Sequence, residues 1–378
     1  MTRVLMLLSN GFTHDPRVSA EAASLTKAGF EVTVLCWDRA GTLSPEDVRD
    51  GVRVVRLRNN ALMRLVRYDL LRLRPFWWLA ASRALELHRQ TPFDVVHAHD
   101  LDTLPAAVAM KRRTGLPLIY DAHEFFPWMV ADVSRAKPWA GRFARLERRL
   151  TPEAELVVVS CPALREYFAA VTQAPIATVM NTQTLVAGGY EPPRNPRMRV
   201  VCIGGLHMDR LLVPFAELAV EDDSFEVEIG GWGPAADPIR ALAAKSRGNL
   251  RFLGAVPMGE VLPRTRAADV AYALYDPSKR LYRLGLPNKL FEALVVGRPL
   301  LVAKGTSVGN EVVAADCGLA IEYSKEALRV AIRSLRDDRA ARERMGRNAF
   351  RLAREKYNWS HDEAALLEAY ARLPVPRA

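Results

Sequence analysis

The α/β character of the chain is clearest in the stretch GLPNKLFEALVVGRPLLVA, residues 285–303. Pro287 suits the start of a helix, and Asn288 and Lys289 follow in its first turn. The closing PLLVA (299–303) is an uninterrupted apolar run, which is typical of a parallel strand buried on both faces. A helix followed directly by such a strand is the repeating unit of a doubly wound sheet.

Strand candidates alternate with helix candidates on both sides of this stretch. In the first half they are RVLMLLS (3–9), EVTVLCW (31–37), VRVVRL (52–57), DVVHAH (94–99), PLIYDA (117–122), LVVVS (156–160) and ATVM (177–180). In the second half they are RVVCIGG (199–205), FEVEIGGWG (225–233), LRFLGAV (250–256) and DVAYALY (269–275). The alternation predicts an α/β protein with two doubly wound parallel sheets in tandem.

The domain boundaries follow from a break between the two series. Residues 185–199, LVAGGYEPPRNPRMR, contain two Gly and three Pro and have no apolar period, which indicates a linker. We expect a first domain, a linker and a second domain at 1–184, 185–198 and 199–358. The closing helix, within 359–378 and with Ser360 as a plausible cap, either extends the second domain or crosses back onto the first. We adopt the second interpretation.

Composition limits the classes of partner and compartment. The formal net charge is +10, which favours nucleotide diphosphates, anionic lipid surfaces or nucleic acid, although Arg used simply as a solvated cation gives the same excess. No nucleic-acid-binding module is recognisable, so we expect no nucleic-acid partner. The four cysteines are far apart, so we expect no zinc site and no disulfide framework. No run reaches the roughly 18 apolar residues of a membrane span, and we expect a cytoplasmic protein.

Polar residues follow the carboxyl ends of three strands in the first half, where doubly wound sheets bind their ligands. These candidates are Gly11, His14, Asp15 and Arg17 after the first strand, His99 and Asp100 after DVVHAH, and His123 and Glu124 after PLIYDA. The alternative is a capped helix entry with a solvated Arg and structural imidazoles. His97 lies inside its strand, and we interpret it as structural.

Two segments of the second half have features of a phosphate site. Gly204 and Gly205 follow a strand directly, and Arg210 comes five residues later. Small residues let the main chain approach a phosphate, and Arg offers a charge-assisted fork. The turn GGWGP (230–234) either shapes a nucleotide pocket or is simply a turn.

The helix that begins at Pro287 carries a cation in an unfavourable place. Lys289 in the first turn opposes the helix dipole, which makes sense if an anion docks there. Glu292 lies three residues after Lys289 and four after Asn288, so the three share one face. We expect Lys289 to bind phosphate and Glu292 to bind ribose hydroxyls. A surface Lys–Glu pair, worth only a few tenths of a kcal/mol, is the alternative.

Together these segments resemble the retaining, GT-B-fold enzymes of glycosyltransferase family 4. The motifs that carry the resemblance are DPRV (15–18), HAHD (97–100), DAHE (121–124), the GG…R segment (204–210), NLRFLGAVP (249–257), PNKLFEALVVGRPLL (287–301) and YNWS (357–360). The resemblance implies two Rossmann-like domains facing across a cleft, and a nucleoside-diphosphate-sugar donor held by the second. It implies no metal and no other cofactor.

The resemblance also implies roles for individual residues. His123 would contact the transferred sugar, and attack would come from the face that the diphosphate leaves. The donor site would comprise Gly204, Gly205, Arg210, Pro287, Asn288, Lys289, Leu290 and Glu292. The first domain would be the acceptor domain, and its acceptor or cleft residues would be Gly11, His14, Asp15, Arg17, His99, Asp100 and Glu124. The acceptor is not identified; a lipid-linked, cell-envelope or glycoside acceptor is expected.

The sequence departs from the family pattern at two places. Leu284 stands where many members carry the first of two Glu residues, and backbone N–H groups around Gly285 and Leu286 are the expected substitute. No Lys follows Arg210 closely, because Leu211 and its neighbours are apolar. A nucleotide-sugar 2-epimerase or hydrolase of the same fold, and a catalytically degraded homologue, therefore remain alternatives.

One stretch of the first half has the composition of a membrane-surface segment. Residues 61–89 combine six Arg with Leu, Trp77 and Trp78, and 142–150 (RFARLERRL) has a similar character. Arg beside aromatic residues on an amphipathic segment suits an anionic membrane surface. Peripheral contact with the inner face of the plasma membrane is one interpretation. A helix packed on the first domain, with its Arg side chains extended to solvent, is the other.

Overall fold

The computed structural model describes residues 1–13, 15–60, 63–64, 66, 69–132, 136–186 and 188–374. The chain divides into two compact units, Met1–Met180 with Asp362–Ala378, and Asn181–His361. We call them the N unit and the C unit. The predicted linker, 185–198, clusters with the C unit by this division. That 1–184 and 199–358 are separate folding domains stays a prediction.

The N unit is built on a parallel sheet. Its described strands are β1 (Arg3–Leu8), β2 (Glu31–Asp38), β3 (Glu46–Arg49), β4 (Val52–Arg58), β5 (Val95–His99), β6 (Leu118–Ala122), β7 (Leu156–Val159) and β8 (Ile176–Thr178). Their order across the sheet is β3-β4-β2-β1-β5-β6-β7-β8. Neighbouring strands pair in parallel, except that β3 is antiparallel to β4.

Helices connect these strands. In the described part of the N unit they are α1 (Pro16–Lys27), α2 (Asp69–Gln90), α3 (Leu104–Thr114), α4 (Phe126–Asp132), α5 (Ala140–Leu150) and α6 (Pro162–Ala169). Two local features define the start of helix α1: the Asp15 side chain accepts a hydrogen bond from the Val18 N–H at 3.1 Å, and Pro16 opens the first turn. Helix α3 ends at Gly115, whose φ of 76° satisfies a left-handed cap.

The C unit repeats the architecture with a second sheet. Its described strands are β9 (Arg199–Gly205), β10 (Glu226–Trp232), β11 (Leu250–Gly254), β12 (Val270–Ala273), β13 (Leu300–Ala303) and β14 (Gly318–Ile321). Their order is β11-β10-β9-β12-β13-β14, and each described pair of neighbours is parallel. Two doubly wound parallel sheets of an α/β protein are therefore confirmed.

The helices of the C unit follow its strands in alternation. The described ones are α7 (Leu212–Glu221), α8 (Ala236–Lys245), α9 (Met258–Ala267), α10 (Arg280–Leu284), α11 (Asn288–Val295), α12 (Ser307–Ala314), α13 (Lys325–Asp337) and α14 (Arg339–Glu355). Residues of β9 show how the sheet is covered. Val200 packs in the larger apolar cluster with α7 and α13, and Val201 packs on the other face near α9.

The closing helix α15 (Trp359–Ala371) leads from the C unit into the N unit. Within the N unit, the Asp362 carboxylate accepts a hydrogen bond from the Met180 N–H at 3.0 Å, and the Ser24 hydroxyl donates to Glu363 at 2.9 Å. The cap prediction is wrong: α15 begins at Trp359, so Ser360 lies inside its first turn. Among the described residues, no helix is long and apolar enough to cross a membrane.

Candidate active site

Arg17 and Asp121 form a buried ion pair in the N unit. Arg17 comes from the first turn of α1 and is only 4% exposed, and Asp121 comes from β6. The guanidinium donates from Nε to Oδ2 at 3.0 Å and from Nη2 to Oδ1 at 2.6 Å, and Nη1 donates to the Val179 carbonyl at 2.5 Å. Arg17 is therefore not the solvated cation of the alternative interpretation.

His123 lies between two carboxylates just beyond β6. Its Nε2 is 2.9 Å from Asp121 Oδ2, and its Nδ1 is 3.3 Å from Asp100 Oδ2. The Asp100 carboxylate also accepts a hydrogen bond from the His123 N–H at 2.9 Å. Burial lowers the pKa of His123, but Asp100 and Asp121 outweigh it and raise that pKa to about 10. The ring is thus an imidazolium at neutral pH, a donor rather than an acceptor of a proton.

His99 and His97 extend the same cluster along β5. His99 Nδ1 is 3.1 Å from Asp121 Oδ2, and His97 Nδ1 is 2.7 Å from the Tyr370 hydroxyl of α15. Burial lowers the pKa of both imidazoles, so both are neutral near pH 7. The structure therefore brings two neutral imidazoles and one charged imidazole around a single carboxylate.

Glu21 is a member of this cluster that the sequence reasoning missed. It lies one turn after Arg17 on α1, with Oε1 3.2 Å from Arg17 Nε, and neither carboxylate oxygen has a hydrogen-bond partner among the described residues. Burial raises the pKa of Glu21 to about 8. The i, i+4 spacing from Arg17 is the signal that points to it.

The other first-half candidates have different surroundings. Asp15 caps α1 and also accepts a hydrogen bond from Asn10 Nδ2 at 2.9 Å. The Gly11 carbonyl accepts one from Arg56 Nε at 3.1 Å. Glu124 is half-buried, and burial raises its pKa. His14 lies outside the described residues.

In the C unit, Lys289 lies against the glycine turn at the end of β9. Its Nζ is 2.6 Å from the point that a Cβ on Gly204 would occupy, and Gly204 has a φ of 137°. That backbone conformation favours glycine, and the missing side chain leaves room for Lys289 against the turn. Burial lowers the pKa of Lys289, but Tyr275, Cys202 and Glu292 raise it overall. The ammonium group is therefore charged.

Arg210 is fixed beside the same turn. Its Nη1 donates to the Gly205 carbonyl at 2.7 Å, and its guanidinium lies 4.8 Å from the centre of the Tyr275 ring. The Arg210 carbonyl accepts from the Tyr272 hydroxyl at 2.7 Å. The Nε of Arg210 has no hydrogen-bond partner among the described residues. A preset donor at a glycine turn suits an anionic ligand.

Helix α11 presents the remaining donor-site candidates. Pro287 is its N-cap, and Asn288 Oδ1 accepts from Asn181 Nδ2 at 3.0 Å. Leu290 is buried in the core and its N–H donates to the Pro287 carbonyl at 2.9 Å. Glu292 is half-buried; burial raises its pKa, and Lys289 partly offsets that. The face that can meet a ligand therefore consists of Lys289 and Glu292.

The chain matches two known families, one in each half. Residues 14–181 match the family described as "Glycosyl transferase 4-like domain", and residues 197–338 match "Glycosyl transferases group 1". The chain belongs to the family 4 type of GT-B glycosyltransferases. The glycogen synthase of Mycobacterium tuberculosis is 23% identical to it, over 94% of this chain and 91% of that protein. The predicted family and the transferase class are confirmed.

Solved structures show the same fold. Sucrose-phosphate synthase from Thermosynechococcus elongatus superimposes with a TM-score of 0.78 at 14% identity, over 98% of this glycosyltransferase and 99% of that chain. The Anabaena protein HepE, solved in complex with UDP-glucose, gives a TM-score of 0.70 at 14% identity, over 99% and 100% of the two chains. The predicted GT-B fold class is confirmed.

The first departure from the family pattern has a structural consequence in this glycosyltransferase. Leu284 ends the short helix α10, and the Gly285 N–H donates to the Leu281 carbonyl at 3.0 Å. The Gly285 N–H is therefore engaged within α10. The sequence suggested this N–H as a donor to the sugar in place of the missing Glu. The structure shows that it is already hydrogen-bonded. Leu286 is half-buried between α10 and α11.

The histidine cluster of the glycosyltransferase also has the composition of a metal site. Ligand atoms of Glu21, His97, His99 and Asp121 lie within 4.8 Å of one another. Arg17, however, donates to both oxygens of Asp121 and is 3.2 Å from Glu21, so a cation already balances these carboxylates. The residues suit a charge network better than a divalent ion. That the enzyme needs no metal stays a prediction.

Proposed function

We propose that this glycosyltransferase moves a sugar from a nucleoside-diphosphate-sugar donor to an acceptor, with retention of configuration, and that the C unit binds the donor. The observation that carries the proposal is the charged Nζ of Lys289 against the Gly204 turn at the carboxyl end of β9. Ligands of doubly wound sheets bind at that end. The negative charge of a diphosphate complements the backbone N–H groups of the turn and the Lys289 ammonium group.

The leaving group explains the residues around that turn. As the glycosidic bond breaks, negative charge grows on the diphosphate, and fixed donors stabilise it without reorganising. Lys289 and Arg210 are such donors, and Arg210 is fixed by Gly205 and Tyr275. Glu292, on the same face of α11 as Lys289, binds the ribose hydroxyls. Because no Lys follows Arg210 closely, Lys289 and Arg210 are the main groups that neutralise the diphosphate.

His123 is proposed to contact the transferred sugar. As an imidazolium whose two ring nitrogens face Asp100 and Asp121, it places a fixed positive charge beside the sugar and is already protonated. It positions the sugar rather than removing a proton. The acceptor then attacks from the face that the diphosphate leaves, and a diphosphate oxygen takes the acceptor proton. Substituting His123 by Ala should lower turnover more than donor affinity, because the donor's phosphates remain held.

The donor is tested by a screen on the full chain. Thermal shift with UDP, GDP, ADP and their sugars should show stabilisation by one nucleotide series. Uridine donors come first, because HepE was solved with UDP-glucose. Consumption of the stabilising sugar nucleotide is then followed by chromatography. If no nucleotide of the three series stabilises the chain, the proposal is wrong.

The same assay separates the alternatives. A hydrolase, or a 2-epimerase that also hydrolyses its substrate, transfers the sugar to water and releases free sugar and nucleotide at a rate that added acceptors do not change. A 2-epimerase that does not hydrolyse its substrate converts the nucleotide sugar into its 2-epimer. A degraded homologue binds nucleotide without consuming the sugar donor. A transferase releases nucleotide faster in the presence of its acceptor, and glycosylated product appears in equal amount.

We also propose that the N unit touches an anionic membrane surface, at the inner face of the plasma membrane. On α2, Leu71, Arg74 and Trp78 follow an i, i+3, i+7 spacing; all are exposed, Leu71 to 45% and Trp78 to 69%. Trp77, by contrast, points inward, since its indole N–H donates to the Asp102 carbonyl at 2.7 Å. An exposed indole beside cations suits a lipid interface.

Helix α5 adds positive charge to the N unit. Arg142, Arg145 and Arg149 are exposed at the same spacing, and Arg142 lies 4.7 Å from the centre of the Trp139 ring. Co-sedimentation with phosphatidylglycerol vesicles should exceed that with phosphatidylcholine vesicles, and Trp78→Ala should reduce it. Arg247→Ala, an exposed site of the C unit, is the control. Absence of binding at low salt would contradict membrane contact.

A further inference from the structure

Trp232 is a large aromatic residue exposed to solvent at the carboxyl edge of the C unit sheet, where doubly wound sheets bind ligands. It is the last residue of β10 and is 66% exposed, whereas the five preceding residues of the strand are buried. The position is the carboxyl end of β10, beside the β9 turn that carries Gly204 and Gly205. Trp is highly buried on average, so an indole this exposed at a ligand-binding edge has its aromatic surface available to a ligand.

The backbone that carries Trp232 is fixed. Trp232 pairs in register with Gly205, and its carbonyl accepts from the Leu206 N–H at 2.8 Å. The preceding Gly231 has a φ of 134°, and a Cβ there would overlap the Gly204 carbonyl. Only glycine can adopt this conformation. The indole is therefore presented by a rigid turn that is bonded to the β9 loop.

The loop that leads into α9 lies close to the end of β10. A Cβ on Gly230, two residues before Trp232, would lie 2.5 Å from Val256 Cγ2 in that loop. Neighbouring strands lie about 4.8 Å apart, so the Trp232 backbone is one strand from Gly205. A planar group attached to phosphates at Gly204 and Lys289 comes within reach of the indole.

We propose that Trp232 is the stacking platform for the nucleobase of the donor. The proposal rests on the proposed function, in which the C unit binds a nucleoside diphosphate sugar. Every base has an aromatic face, so stacking raises affinity without selecting one base. The choice of base then belongs to other groups, and Trp232 contributes to affinity for any nucleoside diphosphate that the phosphate site accepts.

The test compares Trp232→Ala and Trp232→Phe with the unchanged chain. Isothermal titration uses UDP, GDP, ADP and inorganic pyrophosphate, which has no base. Trp232→Ala should weaken the best-bound nucleoside diphosphate about 5- to 150-fold, and should leave pyrophosphate binding unchanged. Trp232→Phe should keep most of the affinity, because a phenyl ring still stacks. Nucleotide-dependent quenching of tryptophan fluorescence should disappear in Trp232→Phe.

The possible outcomes separate this proposal from the proposed function. If the unchanged chain binds nucleoside diphosphates and Trp232→Ala binds them equally well, stacking is refuted and the proposed function stands. If Trp232→Ala weakens pyrophosphate as much as nucleotide, the substitution acts on the phosphate turn, and stacking is again refuted. If the unchanged chain binds no nucleoside diphosphate, both proposals fail.

Discussion

The Arg17 guanidinium and the Asp121 carboxylate form a two-point ion pair, with N–O distances of 3.0 and 2.6 Å. The two residues are 104 positions apart, and both are buried. Burial raises the pKa of Asp121, but Arg17 and His123 outweigh it and hold that pKa well below its usual range. The pair supplies the fixed charge around which the histidines of the N unit are arranged.

Replacing Arg17 should test the structural role of this pair. Arg17→Met keeps the length of the side chain but removes the guanidinium partner of the buried Asp121 carboxylate, and should lower the free energy of unfolding by about 3–5 kcal/mol. Arg17→Lys should recover only part of this, since an ammonium cannot form the two-point contact. Urea denaturation of the full chain measures both. Arg53→Met, which breaks an exposed pair with Glu46, is the control and should have little effect.

Asp121→Asn should change the pH range in which His123 is charged. Asp100 and Asp121 raise the pKa of His123 to about 10, so the ring stays protonated over the whole neutral range of pH. Removing one carboxylate lowers that pKa, so turnover that needs the imidazolium should decline at a lower pH than in the unchanged chain. The pH profile of turnover, with folding checked by circular dichroism, measures the shift. Superimposable profiles would show that Asp121 does not control His123.

Glu21 should make stability depend on pH. Burial raises its pKa from the ordinary 4.5 to about 8. Between these values the unfolded chain releases the proton while the native chain keeps it, so the free energy of unfolding falls as pH rises from 4.5 to 8. Glu21→Gln removes this fall. The free energy of unfolding of the variant, relative to that of the unchanged chain, should therefore be higher at pH 8 than at pH 5. Urea denaturation at both values is the measurement. If the free energies of unfolding of the two proteins differ by the same amount at pH 5 and at pH 8, the prediction for Glu21 is contradicted.

Glu292 should discriminate ribose from deoxyribose. Its carboxylate lies on the same helical face as Lys289, and hydrogen bonds to charged groups contribute about 1.5–3 kcal/mol. Glu292→Ala should therefore weaken a ribonucleoside diphosphate about tenfold or more. The variant and the unchanged chain should bind the 2′,3′-dideoxy analogue with equal affinity. Glu326→Ala, an exposed site on α13, is the control. Equal losses for both nucleotides would place Glu292 away from the ribose.

The sequence revealed most of the fold because buried parallel strands are continuous apolar runs. It missed β3 and β14 for identifiable reasons. β3 (EDVR) is an exposed antiparallel edge with hardly an apolar residue, and β14 (GLAI) has only four residues. The start of α1 and the end of α3 were readable because Asp15, Pro16 and Gly115 act locally.

The candidate site was predictable only in part. Strand ends pointed to His99, His123 and Gly204, since the carboxyl edge is a property of the local pattern. The partner of Arg17 is 104 residues away, and the charge of His123 depends on two carboxylates that meet it only in the fold. Likewise, the sequence could not show that Leu290 faces the core.

Donor binding by Lys289 is the central claim, and isothermal titration of the full chain tests it most directly. The nucleoside diphosphate identified by the thermal-shift screen is titrated into the unchanged chain and into Lys289→Ala. One-to-one binding is expected in the unchanged chain, with affinity at least about tenfold weaker in the variant, because a buried charge-assisted contact is lost. Equal affinities in the two proteins would contradict the claim.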